Sequence, residues 1–386
     1  MDINKNKVIL QVVPSMEIGG AEAGTLEVSR FMKRMGWKVI VVSSGGYLVR
    51  NLILDNIIHV KLPLNSKNPL IIFINIFRLA WIIKKYQIKI LHVRSRAPAW
   101  TSYYASSMFR GIKIITTVHG AYRNQNPIKK LYNSIMLRSH KIIAISKYIK
   151  QYLLTNFKFY KKKLRKIVLI PRGIDPEKFS SERVSEKRII TLSRFWNLPD
   201  GFSVILFPSR IAPFKGHKTL LKACSILAKD PRNKFVCIII GSTKKNSNFS
   251  EELTSIIDDY NLVDHIKFPG PCNDMPAAYK LSDIVVSPAD KPEGFGRIII
   301  EAQSMKRIVI ASGHGGSLEL IKNNYNGFLF EPSNEYDLAN KIKNILFLSK
   351  EKKESIVNTA NIIVKENYHI SKMCESNFKL YNSLIN

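Results

Sequence analysis

The feature that most constrains this chain is a period: short apolar runs alternate with amphipathic stretches from residue 8 to beyond residue 310. Residues 8–14 (VILQVVP), 38–44 (KVIVVSS), 88–92, 113–118 and 141–145 read as strands. Residues 21–35 read as a helix, with apolar positions at helical spacing. Parallel strands need crossover connections, so helices between strands predict a parallel, doubly wound α/β sheet. After a short strand at 168–170 the pattern breaks at PRGIDPEKF (171–179), a turn-rich connector with two prolines, and a polar stretch at 180–198. A second series follows, with strands at 204–208, 235–240, 266–268, 284–287 and 308–311 and a helix at 218–229. Two Rossmann-like domains are expected: an N-terminal one over residues 1–180 and a C-terminal one over 181–365. Residues 366–386 are expected to form a helix packing back on the N-terminal domain. Ligands of such sheets bind beyond the carboxyl ends of the strands, and a cleft between two such domains is the expected active site.

Length agrees: 386 residues, 45% of them hydrophobic, bury two cores of ordinary size. The four cysteines (Cys224, Cys237, Cys272, Cys374) lie far apart without a CxxC pair, which argues against a zinc site or disulfide framework and suits a reducing cytoplasm. The polar start, Met1–Lys7, and the short apolar run after it do not make a signal peptide. The most membrane-like segment, residues 70–83 (LIIFINIFRLAWII), is about six residues short of a span and is interrupted by Asn75 and Arg78. It is expected to be a buried amphipathic helix, and no transmembrane helix is expected.

Charge is uneven. The formal net charge is +31; residues 1–185 hold 33 Lys+Arg against 8 Asp+Glu, a net of +25, and residues 186–386 hold 27 against 21, a net of +6. Compositional bias predicts an even spread, so the asymmetry points to one half facing a polyanion: phospholipid head groups, phosphorylated glycan or nucleic acid. The densest run, KFYKKKLRK (158–166), fits a solvated surface as well as a contact.

Three motifs carry chemistry. EGFGRIIIEAQ (293–303) sets Glu293 and Glu301 on either side of a helix start, behind Gly294-Phe295-Gly296. Glycines admit close backbone approach, a helix N-terminus favours phosphate, and carboxylates accept hydrogen bonds from sugar hydroxyls. A helix cap and a solvated face would look similar. PSRIAPFKGHKTLL (208–221) puts Arg210 and Lys215 in a strand-end loop, where two cations neutralise a diphosphate without a metal; surface charge is the alternative. Gly19-Gly20 opens a helix after the first strand. No Asp-x-Asp follows a strand, so a bound metal is not required.

In this order these elements resemble the retaining glycosyltransferase family 4 of the GT-B fold. The likeness runs through PSMEIGGAE, TTVHG, PRGIDPEKF, SRIAPFKGHKTLL, KPEGFGRIIIEAQ and HGGSLELI, and LHVRSRAPAW (91–100) looks like the bacterial branch that builds lipopolysaccharide core or related envelope glycans. One departure is Leu318, where a proline usually precedes the glutamate. The resemblance implies that Arg210 and Lys215 hold the donor diphosphate and that Glu293 contacts the donor sugar, with backbone N–H groups of Phe295 and Gly296 nearby. It implies that Glu301 binds ribose, Gly20 approaches the phosphates and His119 sits beside the donor sugar. Gly241 and Pro271 or Cys272 are the candidates for the base.

The resulting expectation is a metal-independent hexosyltransferase, with a UDP- or GDP-sugar as donor substrate and no cofactor. Its acceptor is expected to be a lipid-linked or anionic glycan, and its location peripheral, on the cytoplasmic face of the inner membrane. Lys161, Lys162, Lys163 and Arg165 are the expected membrane contacts, with Arg94 and Arg96 nearer the acceptor. A sugar-nucleotide epimerase and a glucan synthase of the same fold are the alternatives, while intact Arg210, Lys215, Glu293 and Glu301 argue against an inactive partner subunit. Nucleic acid is not an expected partner, since no helix-turn-helix, RRM, KH or zinc-finger signature accompanies the charge.

Overall fold

The computed structural model describes residues 7–66, 68–122, 126–241 and 247–385; the expectation for the start of the chain, Met1–Asn6, lies outside them. The chain divides into two compact units, residues 1–173 with 370–386 and residues 174–369.

The first unit is a parallel sheet of β1 (Val8–Val12), β2 (Lys38–Ser43), β3 (Ile58–Lys61), β4 (Ile90–Val93), β5 (Lys113–Val118), β6 (Lys141–Ala144) and β7 (Ile167–Leu169), in the order β3-β2-β1-β4-β5-β6-β7. Its helices are α1 (Gly20–Arg34), α2 (Val49–Leu54), α3 (Pro69–Tyr86), α4 (Arg96–Ser107), α5 (Pro127–Asn133), α6 (Lys147–Asn156) and α7 (Lys161–Leu164). β1 and β4 are buried along their whole length, which is why they read as unbroken apolar runs. Strand order reverses between β1 and β4, the switch point at which such sheets place ligands.

The second unit repeats the plan with β8 (Ser203–Pro208), β9 (Phe235–Ile240), β10 (Ile266–Gly270), β11 (Ile284–Ser287), β12 (Ile308–Ser312) and β13 (Phe328–Phe330), ordered β10-β9-β8-β11-β12-β13. Its switch point lies between β8 and β11. Its helices are α8 (Glu186–Phe195), α9 (His217–Ala228), α10 (Ser247–Asp259), α11 (Met275–Leu281), α12 (Arg297–Ser304), α13 (Ser317–Leu320), α14 (Glu335–Leu346) and α15 (Lys350–Asn367). The chain then returns to the first unit as α16 (Ile370–Ile385), which lies along α1. Met373, Cys374, Leu380 and Tyr381 of α16 join the core built on Ile9, Met32 and Trp37. The Tyr381 hydroxyl is hydrogen-bonded to His92 Nδ1 at 2.6 Å.

Three expectations change. The stretch at 180–198, read as a polar connector, contains α8, held by Arg188, whose Nε and Nη2 donate to Asp274 at 2.8 and 2.5 Å. α3 buries only one face, that of Asn75, Leu79, Ala80, Ile82 and Ile83; Phe73, Phe77 and Trp81 on the other are exposed. Arg94 is buried, donating from Nε and Nη2 to Gln11 Oε1 at 3.1 and 2.8 Å, so it braces the sheet instead of reaching an acceptor. Arg96 donates to Asn133 Oδ1 at 2.8 Å and lies 4.4 Å from the Tyr122 ring centroid. The basic run forms two short helical turns, Lys158–Tyr160 and α7, with no buried residue. Among the described residues, no helix is long and apolar enough to cross a membrane.

Candidate active site

In the second unit, the loops after β8, β11 and β12 meet at the switch point. Lys215 ends a helical turn, Pro213–Lys215, and is followed by Gly216 at φ 83°. A Cβ at Gly216 would stand 1.7 Å from the Pro288 carbonyl oxygen, so only glycine lets the β8 loop rest on the end of β11. That approach brings Lys215 Nζ into an ion pair with Glu293 Oε1. Arg210, on the same loop, is exposed and stands 5.5 Å from the Phe214 ring centroid. Asp290 ties the loops together: its N–H donates to Phe214 O at 3.2 Å, and Thr219 donates to its carboxylate at 2.9 Å.

The β12 loop closes over the β11 loop. Gly316 N–H donates to Glu293 O at 2.9 Å, and a Cβ there would lie 2.2 Å from the Phe295 carbonyl oxygen. Leu318, the departure from the family pattern, sits exposed in α13, and the loop forms without the proline. Glu293, Gly296, Ser312, His314 and Ser317, with Ser287 and Ala289 from the end of β11, line a small pocket. His314 presents two buried ring nitrogens with no hydrogen-bond partner. Gly296 caps the N-terminus of α12 at φ 109°, while Phe295 is buried against Tyr368, ring centroids 5.7 Å apart.

Glu301 lies on α12 with both carboxylate oxygens engaged: the Tyr279 hydroxyl donates at 2.9 Å and Arg297 Nε at 2.7 Å. Each oxygen retains a second lone-pair direction for a ligand. Tyr279 is fully buried, and burial, then the neighbouring Glu301 charge, holds its hydroxyl well above its ordinary value, as a donor. Gly241 follows β9, and a Cβ there would lie 2.2 Å from Ser209 O, so strand-end packing accounts for this glycine by itself. Cys272 follows β10, its thiol pushed up by burial.

Gly20 and His119 belong to the first unit, where both lie around Arg172. The Arg172 guanidinium donates to Gly20 O and rests on Gly24, where a Cβ would stand 1.8 Å from Nη1. At Gly20 itself a Cβ would meet nothing within 4 Å, so its own packing does not demand glycine. His119 follows β5; its buried Nε2 has no partner, and burial, then Arg172 and Arg94, keeps its imidazole well below its ordinary 6.5, hence neutral. Arg172, Asp290 and His314 were not singled out from sequence. For Arg172 the one available signal was Gly24, a glycine inside the expected helix, where a close approach leaves no room for a side chain. Among the described residues no group of three or more His, Cys, Asp or Glu side chains is placed to hold a metal.

Two family models match: Glycosyltransferase Family 4 over residues 18–178 and Glycosyl transferases group 1 over residues 189–361. The chain is similar to a glycosyltransferase from Rickettsia africae ESF-5 of known crystal structure, at 37% identity over 99% of each chain and a TM-score of 0.88. It is similar to an uncharacterized glycosyltransferase of Methanocaldococcus jannaschii, at 25% identity over 83% of this chain and 82% of that protein. Its fold matches that of Anabaena HepE, crystallised with UDP and glucose, at 19% identity over 97% of this chain and 99% of the other, with a TM-score of 0.84.

Proposed function

The chain belongs to the GT-B glycosyltransferases, and on that premise we propose that it moves a hexose, with retention at the anomeric carbon, from a UDP- or GDP-sugar to a lipid-linked or anionic envelope glycan of the lipopolysaccharide type. The observation that carries this reading is the convergence of Glu293, Gly296 and His314 on one small pocket at the switch point of the second unit, with Lys215 ion-paired to Glu293. The UDP and glucose bound by HepE favour uridine in the donor.

On this reading Lys215 and Arg210 hold the donor diphosphate, and Glu293 and the N–H groups of Phe295 and Gly296 orient the sugar. Glu301 takes the ribose hydroxyls with its remaining lone pairs. Gly241 and Cys272, at the ends of β9 and β10, are assigned to the base. Gly20 and His119, from the first unit, are assigned to the donor phosphates and sugar, His119 as a neutral hydrogen-bonding group. The bond from the anomeric carbon to the phosphate oxygen breaks as the acceptor oxygen bonds to the same face of that carbon. The acceptor proton passes to the departing phosphate oxygen, and the nucleoside diphosphate leaves. The protein supplies alignment and preorganised positive charge at the leaving group. No metal is given a role. The +25 on residues 1–185 supports peripheral attachment to an anionic membrane, at the cytoplasmic face of the inner membrane.

The test is turnover of UDP-sugars with and without chelator. Lys215→Ala and Arg210→Ala should each lower kcat about a hundredfold or more, with wild-type activity unchanged by EDTA. Full activity in both variants, or complete inhibition by EDTA, overturns the donor-site assignment. An inverted anomer in the product overturns retention alone.

A further inference from the structure

α3 turns an apolar face away from its own unit. Leu70, Phe73, Ile74, Phe77 and Trp81 follow one another at helical spacing and are 71%, 58%, 46%, 54% and 60% exposed. A helix covering one side of a sheet needs a single apolar stripe, and α3 already buries its own. Basic side chains flank the second stripe: Arg78, Lys84 and Lys85 are exposed, and Lys85 Nζ stands 4.6 Å from the Trp81 ring centroid and 5.5 Å from that of Tyr86. Aromatic rings beside snorkelling lysines are the side-chain chemistry of a membrane interface.

Neighbouring elements extend the surface. The connections β3 to β4, β4 to β5 and β5 to β6 all run the same way across the sheet, so right-handed crossovers put α3, α4 and α5 on one side. α4, packed on α3, adds exposed Tyr104, and Met108 just after its end is exposed as well. Trp100 of α4 stacks on Tyr132 of α5 at 6.2 Å, and Lys130 of α5 stands 5.1 Å from the ring centroid of exposed Phe159, in the basic run.

Resting on the membrane reading above, we infer that α3 is the element that enters the lipid: its stripe from Leu70 to Trp81 lies in the interfacial layer of an anionic bilayer, flanked by head-group contacts from its basic side chains. Charge selects this occupant. A second copy of the chain would set one strongly basic surface against another, whereas anionic head groups oppose it.

The experiment is co-sedimentation with phosphatidylglycerol–phosphatidylcholine vesicles, at low and high salt. It compares the full chain, the Phe73→Ser/Phe77→Ser/Trp81→Ser variant and the Lys161→Ala/Lys162→Ala/Lys163→Ala variant. Removing three large apolar groups from the interface should lower partitioning by roughly a hundredfold or more at either salt, with UDP binding by the second unit unchanged. The lysine variant should lose only the salt-sensitive part. Should the triple serine variant melt early, Trp81→Ser alone carries the comparison, with a smaller loss expected. Wild type that ignores these vesicles at low salt overturns the membrane reading itself. Wild type that binds while the serine variants bind equally well overturns the assignment to α3 and leaves that reading standing. A wild-type dimer in light scattering that the serine variant dissolves, with vesicle binding unchanged, assigns the stripe to a second copy and also overturns it.

Discussion

If Lys215 is to hold a diphosphate, its ion pair with Glu293 must open or be shared when the donor arrives, and Glu293→Gln exposes that competition. The two side chains are 20% and 23% exposed, between a surface pair and a buried one. Two unit charges near contact, at an effective dielectric of about 20, attract by about 4 kcal/mol. Desolvation and lost side-chain freedom offset most of this, leaving about 1–2 kcal/mol. Removing the carboxylate charge therefore frees Lys215 for phosphate, and UDP alone should bind about 5–30-fold more tightly to Glu293→Gln than to wild type. Turnover of the sugar nucleotide should move the other way, down about a hundredfold, because the sugar hydroxyls exchange a charged acceptor with two oxygens for a neutral amide with one. Calorimetric titration with UDP, beside initial rates with the UDP-sugar, reads both. The control is Lys215→Met, in whose background Glu293→Gln should give no comparable gain. Weaker UDP binding by Glu293→Gln, or an equal gain without Lys215, would refute the competition.

Glu301→Ala should weaken UDP as well as UDP-sugar and also lower stability by about 1–3 kcal/mol, since buried Tyr279 loses its acceptor; urea melts with and without UDP separate the two effects. Gly216→Ala should cost about 2 kcal/mol or more, because its Cβ would collide with the Pro288 carbonyl at a left-handed φ. A wild-type melting point there would mean that the β8 loop is not seated on β11. Acid should destabilise the protein through its buried histidines. His217 is held at about 4 by burial, and His92 and His119 well below 6.5. The unfolded chain takes up protons first, so stability is full above about pH 6.5 and falls toward about pH 4, by about 3 kcal/mol for His217 alone. His217→Phe should flatten that slope in pH-resolved unfolding, and an unchanged slope would remove His217 from the account.

Strands buried on both faces were legible because they need no polar alternation, as in KVIVVSS and FVCIII. β3 (IHVK) was not legible: as an edge strand with no residue fully buried, it carries little apolar signal. α8 was hidden by charge, as EKRIITLSRF buries none of its residues completely and depends on Asp274, far away in sequence. At the candidate site, residues next to glycines or at a helix start could be picked out, because backbone approach leaves a trace in residue type. Asp290 and His314 leave no such trace, since their places depend on loops that meet only in three dimensions.

The path of the chain also dictates an order of assembly. The second unit is continuous from residue 174 to 369, whereas the first takes α16 from beyond it in sequence. Trp37 packs against Tyr381 at 6.0 Å between ring centroids, and His92 waits for the hydroxyl of the same tyrosine. During synthesis, at about 5–20 residues per second, the sheet of the first unit therefore emerges before the second unit yet is completed only after it. Until α16 leaves the ribosome, the core side chains it covers stay uncovered. A message truncated shortly before residue 370 would leave an intact second unit tethered to an unfinished first one.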